Sequence, residues 1–344
     1  MPRPAVLFAL AAAALFGLST PLAKMLVGAI DPWLLAALFY LGSGIGLALL
    51  RAFSRRAEAP LSRRDLPWLA GAVLSGGVIG PILLMMGLAR TDGTAASLLL
   101  TLEGVATALI AWFVFRENFD RRIALGMGAI VAGALVLAWQ GGPALGPLGG
   151  PLLIAAACVA WGIDNNLTRK VSLADPLQIA MIKGLSAGPI SLALALLNGA
   201  ALPPPGSALA AGVVGFFGYG LSLVLFVLAL RHLGTARTGA YFSTAPFLGA
   251  AVAIPLLGET PTLQLALAGA LMAIGVWLHL TERHEHEHEH DAVEHSHRHV
   301  HDRHHRHAHA AGDPPGEPHA HRHAHVRLRH AHRHAPDMHH QHRH

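Results

Sequence analysis

The stretch Ser97-Leu-Leu-Leu-Thr-Leu-Glu103-Gly-Val-Ala-Thr-Ala-Leu-Ile-Ala-Trp112-Phe-Val-Phe115 is apolar over a length that crosses a lipid bilayer, yet it carries one acidic residue. A helix needs about 20 apolar residues to span roughly 30 Å of hydrocarbon. A carboxylate at that depth costs at least about 2.5–3.5 kcal/mol. We therefore expect Glu103 to face a protein interior or a water-filled cavity that the rest of the chain forms.

The composition of the whole chain is that of a polytopic membrane protein. Hydrophobic residues make up 53% of the 344 residues and charged residues only 13%, with a mean hydropathy of +0.46. Soluble domains contain about 25% charged residues. The single cysteine, Cys158, lies in an apolar block, which excludes an intrachain disulfide and favours a packing role.

Ten apolar blocks, each bounded by Pro, Gly or charged residues, predict an all-α protein with ten transmembrane helices. The predicted spans are 5–28, 32–51, 66–90, 94–115, 121–139, 149–170, 175–198, 207–231, 235–257 and 262–280. If the helices alternate, fourteen Lys and Arg residues lie on one side of the membrane, and only Lys24 and Arg90 lie on the other. This asymmetry predicts that both termini are cytoplasmic, and we expect a bacterial inner (plasma) membrane.

The two halves of the chain resemble each other. Gly87-Leu-Ala-Arg-Thr-Asp-Gly93-Thr-Ala-Ala is similar to Leu228-Ala-Leu-Arg-His-Leu-Gly234-Thr-Ala-Arg, and Glu117 recurs as Glu259. We therefore expect two five-helix repeats, 1–142 and 143–280, followed by a tail at 281–344. Because five is odd, the second repeat is inverted in the membrane, which is the plan of many secondary transporters with a substrate site at the repeat interface.

Several of these residues resemble the EamA-type family of the drug/metabolite transporter superfamily. They are Phe16-Gly-Leu-Ser-Thr-Pro-Leu-Ala-Lys24, the Gly-Thr-Ala turn after the third and eighth helices, and the helix-ending Glu117 and Glu259. The resemblance covers residues 5–280. It implies a ten-helix permease, built as two inverted repeats around a central cavity, that moves small metabolites and is often coupled to protons or exchange.

Two positions depart from that family pattern. Glu103 stands close to the place where the second repeat has Pro246, and Tyr40 replaces the basic residue expected in the second helix. Either change could alter the substrate preference.

Three consecutive polar residues, Asp164-Asn165-Asn166, lie inside the sixth predicted span, where they are costly unless they pair or line a cavity. At 1.5 Å per residue, Asp164 and Lys183 lie at similar depths of about 10 Å on neighbouring antiparallel helices. The sequence therefore predicts that the two are within salt-bridge reach. The pair either joins the two helices or lines a cavity that recognises a charged or polar solute.

Glu103 also has two interpretations: a protonated acid hydrogen-bonded within the protein, or a carrier of a proton or a cationic solute. The helix-ending Glu117 and Glu259 are expected to cap helices or face the interface, and Lys24 to extend to the outer interface. The predicted substrate-cavity residues are Glu103, Asp164, Asn165, Asn166, Lys183, Thr20, Tyr40 and Tyr241, with Ser19 and Tyr219 as further polar groups.

The tail contains 23 of the 25 histidines and almost no apolar residues, so we expect it to be disordered. Neutral imidazole is a common ligand of transition metals. No cofactor is expected to be required, but the tail predicts binding of zinc, nickel, cobalt or copper; the alternative is a solvating segment that arose by repeat expansion. The candidate ligands are His284, His286, His288, His290, His295, His297, His299 and His301.

The sequence contains no His-Glu-x-x-His, Gly-x-Ser-x-Gly or phosphate-binding loop, so we do not expect an enzyme. We expect a secondary-active permease of a small metabolite or a divalent metal ion, with a tail that binds or senses metal. The alternative is a membrane-anchored metal-binding or buffering protein. The expected partners are a small-molecule or ion substrate and the lipid bilayer, without nucleic acid, and a homodimer is left open.

Overall fold

The computed structural model describes residues 3–53, 61–115, 121–139, 149–172, 174–233 and 235–281, together with tail segments 285–290, 294–299, 319–324 and 328–333. Every described element before the tail is helical. The helices are α1 (Arg3–Val27), α2 (Pro32–Phe53), α3 (Leu66–Ala72), α4 (Gly80–Leu88), α5 (Gly93–Leu99), α6 (Leu102–Phe113), α7 (Arg121–Ala138), α8 (Gly149–Val171), α9 (Pro176–Leu197), α10 (Pro205–Gly215), α11 (Ser222–Leu233), α12 (Thr235–Phe242), α13 (Ala245–Leu257) and α14 (Leu263–Leu280).

Nine helical stretches within the described residues are long and apolar enough to cross a membrane. They are Pro4–Val27, Pro32–Phe53, Leu66–Leu88, Gly93–Phe113, Arg121–Ala138, Pro176–Leu197, Pro205–Arg231, Thr238–Leu257 and Leu263–Leu280. The prediction of a helical integral membrane protein is confirmed for the described residues before the tail. The remaining predicted span, 149–170, corresponds to α8, which has 23 residues but carries Asp164 and two asparagines in its apolar part. The count of ten spans stays a prediction.

Two of the long stretches contain a π-helical segment. Val73–Ile79 joins α3 to α4, and Phe216–Leu221 joins α10 to α11. In the first segment the Gly80 N–H bonds to the Ser75 carbonyl, five residues back, instead of the Gly76 carbonyl. Pro81, the next residue, has no N–H. The Gly76 carbonyl is therefore left without a backbone donor and is available to side chains.

Two further stretches are broken near their middle. Between α5 and α6 the N–H groups of Leu100 and Thr101 bond three residues back, to Ser97 and Leu98. Glu103 N–H likewise bonds to the Leu100 carbonyl, which leaves the Leu99 carbonyl facing the Cys158 thiol at 3.7 Å. The second break separates α12 from α13 at residues 243–244. Such breaks in membrane helices are tolerated where the protein interior satisfies the backbone.

Glycine allows α2 and α9 to approach each other closely. A Cβ added at Gly184 would lie 2.5 Å from the Gly44 Cα and 2.9 Å from the Tyr40 carbonyl oxygen. Small residues commonly permit such backbone contact between membrane helices. Because Tyr40 is part of this contact and Lys183 precedes Gly184, the close approach fixes the positions of both residues.

The four tail segments are the strands β1 (Glu285–His290), β2 (Glu294–His299), β3 (His319–Ala324) and β4 (Leu328–Arg333). β1 pairs with β4 and β2 pairs with β3, both antiparallel. The expectation of a disordered tail is therefore wrong for these four segments. Alternating histidines have the two-residue period of a strand, and pairing satisfies the backbone without a hydrophobic core.

We predict that Gly184→Ala destabilises the protein, because the added methyl group overlaps the backbone of α2. Overpacking of this kind costs about 1–3 kcal/mol, which we expect to observe as a lower Tm in detergent. The matched control is Gly128→Ala in α7, since a Cβ at Gly128 meets nothing within 4 Å. Equal Tm values for the two variants would contradict the close contact.

Candidate functional site

A cavity of about 60 Å³ lies between helices from both halves of the chain. Its lining combines three charged side chains, one amide and a group of aromatic rings. The lining residues are Phe16, Tyr40, Glu103, Trp161, Asp164, Asn165, Lys183, Gly218, Tyr219, Ser222, Leu223, Phe226 and Phe242. Five of the eight predicted substrate-cavity residues therefore lie together: Tyr40, Glu103, Asp164, Asn165 and Lys183.

Glu103 enters the cavity from the broken fourth stretch. It is the second residue of α6, where the partial positive charge of a helix N-terminus favours a carboxylate. Its Oε1 accepts a hydrogen bond of 2.8 Å from the Asn165 side-chain amide, which also donates to the Thr107 hydroxyl at 3.2 Å. Among the described residues, no Lys, Arg or His side chain forms an ion pair with Glu103.

Asp164 and Lys183 form a buried ion pair across α8 and α9. The Lys183 ammonium donates to both Asp164 carboxylate oxygens at 2.6 Å. The Lys183 side chain is 1% exposed and the Asp164 side chain is 8% exposed. The Thr168 hydroxyl adds a hydrogen bond of 2.8 Å to Asp164 Oδ1. The prediction that the two groups lie within salt-bridge reach is confirmed. The pair joins two helices and its side chains also line the cavity. Recognition of a solute by the pair stays a prediction.

Tyr40 and Trp161 both bind the carbonyl group that the first π-helical segment leaves free. The Tyr40 hydroxyl donates to Gly76 O at 2.7 Å and Trp161 Nε1 donates to the same oxygen at 3.0 Å. Gly76 itself must be glycine here, because a Cβ would overlap the Asp164 carboxylate. The local backbone irregularity therefore orients two aromatic side chains of the cavity wall.

Aromatic rings form a connected part of the wall. Phe16 packs against Trp161 and Tyr219 at centroid distances of 5.7 and 5.8 Å. Both contacts have the edge-to-face geometry that is typical of aromatic pairs. Tyr219 continues to Tyr40 at 5.6 Å, and Phe242 lies 5.4 Å from Phe16. The cavity thus has one wall of π surface beside its charged groups.

Three predicted site residues lie outside this lining. Asn166 is buried; it joins α8 to α6 by donating to the Thr107 carbonyl at 3.1 Å, and it also donates to the Gly162 carbonyl of its own helix at 2.8 Å. Thr20 is buried within the helix bundle. Tyr241 packs on an apolar cluster of α1 and α11. Asn166 is hydrogen-bonded within the helix bundle, and Thr20 and Tyr241 lie in packed parts of it. Sequence spacing does not distinguish these positions from cavity lining.

Glu259 and Lys24 form hydrogen bonds at the end of the bundle opposite the basic helix ends. Glu259 accepts hydrogen bonds from the Gly93 and Thr94 N–H groups at 2.6 and 2.8 Å, and from the Thr94 hydroxyl. The prediction that Glu259 caps a helix is confirmed, whereas Glu117 lies outside the described residues. Lys24 donates to the carbonyls of Leu88 and Thr91 at 2.7 and 2.8 Å, so it is bound to protein at the interface.

No group of three or more His, Cys, Asp or Glu side chains among the described residues is placed to hold a metal ion. Of the predicted tail ligands, His284 and His301 lie outside the described residues. For the other six the structure gives the backbone pairing. Across β1–β4 and β2–β3, histidine lies opposite histidine in five pairs: His286 and His332, His288 and His330, His295 and His323, His297 and His321, and His299 and His319.

Sequence reasoning missed most of the aromatic wall, namely Phe16, Trp161, Phe226 and Phe242. Apolar aromatic residues are common throughout membrane helices, so their composition carries no cavity signal. The π-helical segments were also missed, including the first one, whose Gly76 carbonyl binds Tyr40 and Trp161. The Gly80-Pro81 pair was the available signal for the first of them, since proline removes a helical hydrogen bond.

We predict that neutralising one partner of the buried pair, as in Asp164→Asn, is strongly destabilising because Lys183 remains charged and unpaired. Breaking such a pair costs about 3–5 kcal/mol. The double variant Asp164→Asn, Lys183→Met should regain much of the lost Tm in detergent. The control is Asp175→Asn, because the Arg51–Asp175 pair is more exposed and contributes little. Simple additivity of the two single substitutions would contradict this coupling.

Comparison with known proteins gives a consistent family assignment. Residues 3–139 and again residues 148–281 match the EamA-like transporter family. A protein described as an "uncharacterized transporter" from Methanothermobacter thermautotrophicus is 28% identical over 281 residues, which cover 76% of this chain and 82% of the relative. A "probable terminal-alkyne amino-acid exporter" from Streptantibioticus cattleyicolor is 27% identical over 219 residues, covering 62% and 73%.

A solved crystal structure supports the fold. It superposes with a TM-score of 0.61 at 22% identity and covers 80% of this chain and 94% of its own. At that identity the likeness concerns the fold alone.

Proposed function

Because the chain belongs to the EamA-like transporter family, we propose that it is a secondary-active permease that moves a small solute through the cavity described above. The single observation that carries the proposal is Glu103, a carboxyl group without a cationic partner among the described residues, in a cavity within the membrane bundle. An unpaired ionisable group inside a membrane is a marker of a substrate or ion pathway. Glu103 is the proposed carrier group.

The proposed architecture is two inverted five-helix repeats. In this architecture α8 is a further span, which brings the nine candidate spans to ten. Three observations support it. The family match occurs twice in the chain. The π-helical segments begin at Val73 and Phe216, and the helix breaks follow Leu99 and Phe242, so both features recur at an offset of 143 residues (216 − 73 and 242 − 99). Transporters built from repeats characteristically place broken helices at the substrate site.

The proposed orientation places the cavity nearer the cytoplasm of a bacterial inner membrane. At 1.5 Å per residue, Asp164 and Phe226 each lie about 7.5 Å from the basic residues Arg169 and Arg231 of their own helices. Positive residues mark the cytoplasmic side. The bonds of Glu259 to α5 lie at the opposite, outer end. Opening these bonds while closing the cytoplasmic end would expose the cavity to the other side.

The transport proposal is tested with purified protein in liposomes, across an imposed pH gradient. We expect uptake of at least one solute from a panel of amino acids, amines and divalent metals. We expect Glu103→Gln to reduce the rate by about tenfold or more, since loss of a carrier group removes more than about 1.4 kcal/mol of coupling. Asp175→Asn, outside the cavity, is the control. Wild-type rates for Glu103→Gln between about pH 5 and 8 would contradict the role of Glu103.

A second activity is proposed for the tail: binding of zinc, nickel, cobalt or copper. The observation that favours it is the register of the tail strands, which sets histidine opposite histidine five times. Cα atoms of directly paired strand residues lie about 4.5–5.5 Å apart, close enough for two imidazoles to share one ion. The alternative, a bundle that serves only as an anchor for a metal buffer, leaves the cavity and its unpaired carboxyl group without a role.

We expect the full chain to bind several divalent metal ions in isothermal titration, and a chain ending at Thr281 to bind few or none. Because the cavity is separate from the tail, maximal transport should be largely unchanged in the shortened chain. Unchanged metal binding after removal of the tail would show that the metal is held elsewhere. Lost transport would show that the tail is part of the permease.

A further inference from the structure

We propose that the solute bound by the cavity is an organic monocation, an ammonium group carried on a small aromatic or branched apolar body, and that it exchanges with a proton on Glu103. This inference rests on the proposed transport function and names the substrate class of the same cavity. It follows from the charges, the hydrogen-bond donors and the ring surfaces of the lining.

The charges of the lining leave one negative charge without a partner. Lys183 is bound by both oxygens of Asp164 at 2.6 Å, so these two charges cancel. Glu103 accepts a neutral amide hydrogen bond from Asn165 and has no cationic partner among the described residues. An isolated buried carboxylate is costly. The cavity is therefore neutral only when Glu103 binds a proton or a monovalent cation.

Four side-chain donor groups of the lining are already used within the protein. Tyr40 and Trp161 donate to Gly76 O, and Ser222 donates to Ala12 O at 2.9 Å. The two N–H groups of the Asn165 amide go to Glu103 and Thr107. A carboxylate offers about four acceptor sites, and the described residues supply Glu103 with one hydrogen bond. Glu103 thus keeps free acceptor sites, whereas the remaining donors of the lining are the Tyr219 hydroxyl and the third N–H of Lys183. The free carboxylate acceptors favour a cation over a carboxylate.

The aromatic wall favours the same class of solute. Phe16, Trp161, Tyr219 and Phe242 are in mutual ring contact around Phe16, at 5.4–5.8 Å between centroids. The faces of aromatic rings attract ammonium groups and also bury apolar surface. A hydrated inorganic ion gains little from such a wall. Three-ligand clusters of His, Cys, Asp or Glu are also lacking among the described residues, so the lining favours an organic cation over a divalent transition metal.

The proton balance of the exchange is one for one. When the ammonium group binds, Glu103 releases its proton to the side that the cavity faces; when the solute leaves, Glu103 takes up a proton. The titratable groups that face Glu103 from the surrounding helices are Asp164, Cys158, Lys183, Tyr40 and Tyr219. α7, which also packs on α6, has Arg121 and Arg122 only at its first two residues. Asp164 and Lys183 are paired, and phenols and thiols are ordinarily neutral below about pH 8.

Three compounds with the same phenyl-ethyl body test the inference: phenethylamine, phenylalanine and 3-phenylpropionate. They carry an ammonium group alone, an ammonium and a carboxylate group, and a carboxylate group alone. Binding to the purified full-length protein is measured by isothermal titration between about pH 5 and 8, where the amine stays protonated. We expect phenethylamine to bind at least about tenfold more tightly than the other two.

The pH dependence of the wild-type protein gives a second readout that needs no variant. Below the pH at which Glu103 ionises, the Kd of phenethylamine should rise about tenfold per pH unit, with one proton released per molecule bound. Glu103→Gln should bind phenethylamine weakly and without pH dependence. Asp175→Asn, away from the cavity, should bind as the wild type does.

Two results would overturn the inference. Tighter binding of phenylalanine or 3-phenylpropionate, lost in Trp161→Leu, would show that the cavity takes a zwitterion or an anion; the proposed transport function would then stand with another substrate class. Binding of none of the three would also refute the inference. The proposed transport function is refuted by a different result, namely equal transport rates of wild-type protein and Glu103→Gln in the liposome assay.

Discussion

A charge inside a lipid bilayer must be compensated, and this constraint explains the arrangement of the polar groups in the bundle. Water is not available in the hydrocarbon to solvate an ion, so each buried charge requires a counter-charge or a set of hydrogen bonds. Asp164 has Lys183 and Thr168. Lys24 has two carbonyl groups, and Glu259 has the N-terminus of α5. Glu103, by contrast, accepts a hydrogen bond only from the Asn165 amide among the described residues. This smaller number of partners distinguishes the proposed carrier group from the charges with a structural role.

Irregular backbone positions these groups. A regular helix uses all of its internal carbonyl groups, whereas the π-helical segment at Val73–Ile79 leaves Gly76 O to Tyr40 and Trp161. The break before Leu102 places Glu103 at a helix N-terminus in the interior. Both departures from regular helix are stable because side chains of the protein take the place of the missing backbone donors. The irregular backbone segments therefore place the side chains that line the cavity.

The sequence predicted the features that depend on composition and charge, and missed those that depend on packing. The helical architecture followed from apolar length, and the Asp164–Lys183 pair followed from the depth of two charges on neighbouring helices. Thr20, Asn166 and Tyr241 were assigned to the cavity because they are polar, but helix orientation directs them elsewhere. Phe16 and Phe242 were missed because an aromatic residue facing a cavity and one facing lipid have the same sequence pattern. The tail strands were missed because low hydrophobicity was given more weight than the two-residue period.

The central claim is that Glu103 alternates between a proton and an organic cation. Infrared difference spectroscopy tests it most directly, because a protonated carboxyl group has a carbonyl-stretching band that an ionised carboxylate lacks. We predict that adding phenethylamine to the wild-type protein at mildly acidic pH removes one such band, and that Glu103→Gln shows no such loss. A band that does not change, or that is lost equally in Glu103→Gln, would contradict the account.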